Sequence, residues 1–174
     1  MKALDPELRI QFTKRMDGCV ILRCTRSDNS VTWQRHDKHA VFFGHHDLSH
    51  FAVETVLGLS QGFYGLLADG WDIADTTGKG MRGKLSDASL LAEHIVGLLE
   101  RERSGGAEPL PAAAFNAALE RMMGTPLKRT FSDLQLTAVR NRIAALHRQL
   151  AATPPGAALD LTFDRSEPAF QWKD

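Results

Sequence analysis

The pattern of apolar and polar positions divides the chain into a strand-rich beginning and a helical remainder. Residues 8–13, 19–25 and 30–35 alternate in polarity or are rich in β-forming residues, and turn-forming residues separate them. This pattern predicts a three-stranded antiparallel meander. A further alternating stretch, residues 158–163, predicts a strand that returns to the same sheet as an edge or fourth strand.

Apolar residues at helical spacing predict about five helices between the meander and the final strand. The first is expected after Gly44, over residues 45–57, and a capping-box pattern at Ser132 and Gln135 opens the last. The strands and helices together predict a single α+β domain over residues 1–174, with helices covering one face of a small antiparallel sheet. The three intervening helices are expected at residues 61–68, 87–103 and 111–123.

Length and charge narrow the class of protein. The chain has 174 residues, enough to form a core without a disulfide or a structural metal. Lys and Arg total 21, as do Asp and Glu, so general nucleic-acid binding is not expected. Cys19 and Cys24 should face opposite sides of one strand, which disfavours a disulfide. Without a signal peptide or an apolar run of membrane-spanning length, a soluble cytoplasmic protein with no membrane partner is expected.

The candidate chemistry lies in residues 44–54, whose sequence is GHHDLSHFAVE. His46 and His50 stand four residues apart, Asp47 follows the first, and Glu54 lies four residues beyond the second. On a helix these four side chains form one polar stripe, while apolar residues cover the opposite side. The pattern predicts a helix buried on most of its circumference, with imidazoles and carboxylates facing a cleft.

The string His46-Asp47-Leu48-Ser49-His50 resembles the HExxH signature of zinc metallopeptidases. In that family two imidazoles one helical turn apart bind the metal, and the intervening Glu activates water. The resemblance implies that His46 and His50 bind zinc or another divalent metal and that Asp47 is the catalytic base. It also implies a metal-dependent hydrolase with an unknown small-molecule or peptide substrate. Asp47 is one methylene shorter than the family's Glu, and the resemblance covers these five residues only.

The sequence leaves the third metal ligand open. Along a helix Glu54 rises roughly 12 Å from His46, too far for the two to share one ion. Glu54 is therefore predicted to lie in the second shell, where it would accept the free ring N–H of His50 and fix its tautomer. The other possible donors are His36, His39, His45, Glu93 and His94.

The doublet His46-Asp47 is also similar to that of HD-domain phosphohydrolases. This second resemblance implies a site that adds an upstream His and a downstream Asp. The positions available for those roles are His36 or His39, and Asp72 or Asp75.

Residues 78–84 fit the first seven positions of the phosphate-binding pattern GxxxxGK[ST]. Leu85 occupies the position of the hydroxyl residue, and the preceding residues do not look like the buried strand that should lead into such a loop. We therefore interpret residues 78–84 as a mobile basic loop beside an acidic cleft.

Residues 39–78 contain no Lys or Arg but carry five carboxylates and four histidines, a pattern that favours a cation site. Two alternatives remain open. The polar stripe could be the solvated face of an amphipathic helix. The chain could also be a non-enzymatic domain that binds a protein partner, or a second copy as a homodimer, through the segment 42–71, with Phe63, Tyr64 and Trp71 exposed beside the acidic residues.

Overall fold

Four strands, five α-helices and one short 3-10 helix make up the computed structural model of the protein, which describes residues 7–37, 39–106 and 108–166. The α+β class predicted from the sequence is confirmed. In chain order the elements are β1 (Leu8–Lys14), β2 (Val20–Arg26), β3 (Val31–His36), α1 (Ala40–Leu57), α2 (Phe63–Ala68), a short 3-10 helix (Ile73–Thr77), α3 (Asp87–Gly105), α4 (Ala112–Met123), α5 (Asp133–Ala152) and β4 (Ala158–Phe163).

The sheet is antiparallel with the strand order β3-β2-β1-β4. The predicted meander is confirmed, and so is the returning strand, because β4 pairs with β1 in the register Phe12↔Leu159. Alternate residues of β1 and β2, including Ile10, Phe12 and Leu22, are buried beneath the helices. The side chains between them lie on the opposite, uncovered face, as expected for a sheet with one packed side.

The helix α1 lies at the centre of the helical layer, in contact with the sheet, α2, α3 and α5. It begins at Ala40, more than a turn before the predicted start after Gly44. Gly44 does not break the helix; it provides close packing, because a Cβ atom there would lie 3.2 Å from Leu150 Cδ2 of α5. The predicted end is confirmed, since Gly58 closes α1 in the left-handed conformation with φ 65°.

The ends of the later helices follow local signals. Ser86 accepts a hydrogen bond from Ser89 N at the start of α3, and Ser132 forms the predicted capping box with Gln135 at the start of α5. These caps fix where α3 and α5 begin and so where they cross α1. No described helix has the length and apolarity that a membrane span requires.

The glycine-rich loop at 78–84 follows the 3-10 helix rather than a strand. Arg82 donates to Gly70 O at 3.0 Å, and its guanidinium lies 5.4 Å from the centre of the Trp71 ring. These contacts hold Arg82 against the chain before the loop. The resemblance to a phosphate-binding loop therefore lacks both its strand and its hydroxyl residue.

Candidate metal centre

Four side chains spaced four residues apart form a line along α1, which we call the α1 ridge: Phe42, His46, His50 and Glu54. Exposure decreases along the ridge, because Phe42 is 54% exposed, His46 is half-buried, and His50 and Glu54 are only 2% and 1% exposed. The predicted polar stripe thus runs from the surface into the interior. Its interpretation as a solvated face is wrong, because His50, Glu54 and Asp47 are all buried.

Glu93 of α3 meets the ridge at its two histidines. One ligand atom from each of His46, His50 and Glu93 can be chosen so that all three lie within 4.8 Å of one another. Within the described parts of the chain, no other group of three or more His, Cys, Asp or Glu side chains converges in this way. Of the five residues considered for a third ligand, Glu93 is therefore the one that the packing of α3 on α1 places with the pair.

One distance inside this group is compatible with two ligands of a shared metal ion. His50 Nε2 lies 3.4 Å from Glu93 Oε2, well beyond the usual hydrogen-bond distance of about 2.9 Å. Two ligands that bind one zinc ion tetrahedrally at about 2.0–2.1 Å are themselves about 3.3–3.4 Å apart. The separation of these two atoms therefore equals the edge of such a tetrahedron.

Glu54 lies on the other side of His50. Its Oε1 is 3.5 Å from His50 Nδ1, a buried ring nitrogen that has no hydrogen-bond partner among the described residues. Glu54 Oε2 accepts hydrogen bonds from Tyr64 N at 3.0 Å and Gly65 N at 3.1 Å, at the start of α2. A Cβ atom on Gly62 would collide with the Glu54 carboxyl group. The start of α2 thus fixes the carboxylate that faces Nδ1.

The electrostatics of the group favour positive charge between the carboxylates. Burial disfavours the imidazolium form of His50, but its interactions with the Glu54 and Glu93 carboxylates outweigh burial and raise its pKa to about 10. Burial raises the pKa of Glu54. For Glu93, interaction with His50 outweighs burial and lowers the pKa. His46 is half-buried, and desolvation lowers its pKa, so this ring favours the neutral form that binds metals.

Asp47 lies beside the ridge, but its carboxylate is engaged elsewhere. Asp47 Oδ2 is 2.9 Å from His36 Nε2 of β3, and the His36 ring stacks on Phe43 with a centre-to-centre distance of 5.1 Å. The backbone carbonyl of Asp47 accepts a hydrogen bond from Tyr64 Oη at 3.0 Å. The residue predicted as a catalytic base therefore bonds to β3 and is not a member of the converging group.

A second histidine cluster lies on the α5 side of α1. The rings of His45 and His147 stack 4.0 Å apart with an angle of 8° between their planes, and His147 Nε2 lies 3.0 Å from His45 O. Ser49 Oγ donates to Glu100 Oε1 at 2.6 Å. Burial, followed by the charge of His45, lowers the pKa of His147 to about 4. No spacing along the chain connects His147 with His45, which are brought together by the packing of α5 on α1.

The other positions considered at the sequence level do not converge. The two candidates for the downstream Asp of the HD-type site lie beside arginines. Asp72 is 3.5 Å from Arg26, and Asp75 is 3.9 Å from Arg82. His39 precedes α1 and is exposed, and His94 follows Glu93 on α3 without joining its group. His36 does reach Asp47 of the doublet, but among the described residues neither downstream Asp joins them.

The exposed aromatic residues are not the ones predicted for a binding surface. Tyr64 is fully buried and packs against Phe51 and Phe163, so the exposure expected for it is wrong. Phe63 and Trp71 are half-buried. The exposed apolar side chains of this part of the chain instead belong to the first turn of α1, at Val41, Phe42 and Phe43.

Comparison with known proteins returns no family model, no curated protein and no solved structure that matches this chain. The function is therefore inferred from the geometry of the site.

Proposed function

We propose that this protein binds a divalent metal ion, zinc first by ligand type, through His46, His50 and Glu93, and that the bound metal supports hydrolysis. The observation that carries the proposal is the convergence of three ligand atoms within 4.8 Å from two helices. The 3.4 Å separation of His50 Nε2 and Glu93 Oε2 supports a tetrahedral ion between them.

The types of ligand indicate both the metal and the reaction class. Two imidazoles and one carboxylate are ligands that zinc accepts, and three protein ligands leave one tetrahedral position open for water or substrate. A divalent ion in such a site acts as a Lewis acid and lowers the pKa of water that it binds. Hydrolysis is therefore the reaction class that this ligand set favours, with a small molecule or peptide as the substrate.

Two acidic residues have supporting roles in this proposal. Glu54 faces His50 Nδ1 and is held by the start of α2, so it would orient the ring and fix its tautomer. Asp47 would act as the base only if its carboxylate left His36 and accepted a hydrogen bond from water at the site. A cytoplasmic location stays a prediction.

The metal content of untagged protein tests the proposal. After incubation with zinc and desalting, we expect about one equivalent of zinc by elemental analysis. The variants His46→Gln and Glu93→Gln should lose it, because each removes one of three ligands. Matched controls on α3 are His94→Gln and Glu100→Gln, which change the same residue types outside the group and should retain the metal. Wild-type protein without metal, or equal retention in all four variants, would contradict the site.

Hydrolysis needs a separate measurement. Zinc-loaded protein should cleave a member of a panel of activated esters and aminoacyl amides, and removal of the metal by a chelator should abolish the rate. If Asp47 is the base, Asp47→Asn should lower this rate while metal content stays the same. A rate that persists without metal would show that the cleavage does not occur at this site.

A further inference from the structure

We infer that the metal site takes a neutral ligand with an apolar group, and that this group packs against Phe42 at the exposed end of the α1 ridge. The inference rests on the proposed metal site and names the class of molecule that the site would bind. Its basis is the order of exposure along the ridge, the aromatic contacts of the two metal-binding histidines, and the charges around them.

Exposure along the ridge is greatest at the Phe42 end. Phe42 is 54% exposed, His46 is half-buried, and His50 is 2% exposed. At the inner end, the ring centre of Phe63 lies 5.6 Å from that of His50, and Glu54 lies beyond it. Along the ridge, a ligand would therefore meet His46 beside Phe42; on the α3 side it would meet the Glu93 side chain, which is 38% exposed.

Phe42 is the ring beside the outermost histidine. It lies one helical turn before His46, and the two rings are nearly parallel, 14° apart in orientation and 6.4 Å between centres. The neighbouring Phe43 turns toward His36 instead. An apolar group on a ligand held near His46 would cover a phenyl face that otherwise contacts water, and removal of apolar surface from water is favourable.

The exposure of this turn indicates a binding surface. Val41, Phe42 and Phe43 are consecutive, and their exposed fractions are 65%, 54% and 40%. Isolated apolar residues are common on protein surfaces, whereas contiguous ones beside polar groups are typical of ligand or partner sites. Here the contiguous apolar surface adjoins the histidine at the mouth of the metal group.

Charge narrows the ligand further. No Lys or Arg occurs from residue 39 to residue 78, so the ridge and the segment that follows it supply no cation for an anionic group. On α3, Arg103 is paired with Glu100 at 3.0 Å. The carboxylates of Glu54 and Glu93 flank His50. A divalent ion at the site would be balanced by these two carboxylates, so a phosphate or carboxylate ligand would add uncompensated negative charge, whereas a neutral nitrogen or oxygen donor would not.

Cobalt-substituted protein provides the test, because the visible absorption of Co²⁺ reports both metal binding and the arrival of a fourth ligand. We would titrate the Co²⁺-loaded protein with imidazole, 4-phenylimidazole and phenylphosphonate. We expect 4-phenylimidazole to bind at least tenfold more tightly than imidazole, and phenylphosphonate to bind more weakly than 4-phenylimidazole. In Phe42→Ser the preference for the phenyl group should fall to about threefold or less, and Phe42→Leu should retain most of it.

A control variant removes an exposed apolar residue that does not belong to the α1 ridge. Leu134 on α5 is 67% exposed, and Leu134→Ser should leave the preference unchanged. Equal binding of both imidazoles by the wild type, or tighter binding of phenylphosphonate, would overturn the inference while the cobalt spectrum still supported the metal site. A dimer that Phe42→Ser dissociates, with no change in ligand preference, would also overturn it, since a second copy would then cover this surface. Absence of a protein-bound cobalt spectrum would overturn the metal site itself.

Discussion

Two histidine clusters lie on different sides of α1, and their surroundings give them opposite properties. On the α3 side of α1, His50 lies between Glu54 and Glu93, and these carboxylates raise its pKa to about 10. On the α5 side, His45 and His147 stack on each other, and burial together with their mutual repulsion lowers the pKa of His147 to about 4. One cluster stabilises positive charge, and the other excludes it.

The comparison shows that the presence of histidines does not by itself indicate a cation site. A stacked pair with a backbone carbonyl as its nearest acceptor packs like other aromatic rings and stays neutral. An imidazole between carboxylates holds a proton when no metal is present, and a metal ion can replace that proton. Two carboxylates beside one ring, rather than the spacing of the histidines, distinguish His50 from the second cluster, whose acidic neighbour Glu100 is paired with Arg103.

The largest expected difference between the clusters is in the free energy of unfolding that is lost when one ring is removed from each. His50→Leu leaves two carboxylates without their cationic partner, and the loss of one member of a buried pair costs about 3–5 kcal/mol of the free energy of unfolding. His147→Leu removes a neutral ring with one hydrogen bond and should cost about 1 kcal/mol. Urea unfolding of metal-free protein at neutral pH would measure both values. Equal losses would mean that the two clusters are energetically alike.

Zinc should stabilise the protein only through the cluster of His46, His50 and Glu93. Free zinc at about 100 times its Kd should add about 2.7 kcal/mol to the free energy of unfolding. For a chain of this size the melting temperature should then rise by about 5–10 °C. His147→Gln should show the same rise, and His46→Gln should show none. A rise in His46→Gln equal to that in the wild type would place the zinc elsewhere.

The contact between Gly62 and Glu54 provides a more local test. Gly62→Ala should displace the Glu54 carboxylate and destabilise the protein by about 1–3 kcal/mol, with weaker zinc binding, since an added methyl group has no space there. Gly97→Ala on α3 is the matched control, because a Cβ atom at that position meets no atom within 4 Å. That control should be neutral or stabilise by up to about 1 kcal/mol. Unchanged zinc affinity in Gly62→Ala would show that Glu54 does not position His50.

The smallest expected effect is a loss of stability at acid pH through the second cluster, formed by His45 and His147. Because the pKa of His147 is about 4 in the folded protein and about 6.5 when unfolded, the unfolded chain binds the proton first as the pH falls. Stability should therefore decrease between pH 6.5 and pH 4, by about 1–2 kcal/mol after allowance for solvent screening of this partly open ring.

The variant His147→Gln should lose this part of the pH dependence. Urea unfolding at pH 7.5 and pH 4.5 in both proteins gives the difference. Parallel losses in the wild type and the variant would show that His147 is not the group responsible.

Much of the fold followed from short-range signals in the sequence. The alternating strands, the glycine that ends α1 and the serine caps of α3 and α5 act through neighbours a few residues away, so the chain itself displays them. The start of α1 was predicted too late, because Val41, Phe42 and Phe43 form an apolar run without helical periodicity and Gly44 has the appearance of a boundary. The tight contact of Gly44 with Leu150 depends on how α5 packs on α1, and no nearby residue in the sequence indicates it.

The candidate site divides in the same way. His46, His50 and Glu54 share one helix, so their spacing predicts that they are neighbours. Glu93 joins them only through the packing of α3 on α1, and the sequence therefore offered it as one of five possibilities. The contact of Asp47 with His36 depends on how β3 meets α1, and no spacing within the HDLSH string indicates it.

The graded exposure of the α1 ridge also bears on how fast a metal ion could enter and leave. An arriving ion would meet half-buried His46 and the partly exposed Glu93 carboxylate first, and would exchange a further water molecule for the buried ring of His50 last. Departure would reverse that order, so the contact shielded from solvent would have to break first. Such a site would exchange its ion slowly even at moderate affinity, so residence time rather than equilibrium occupancy would decide whether the protein holds its metal when competing chelators surround it.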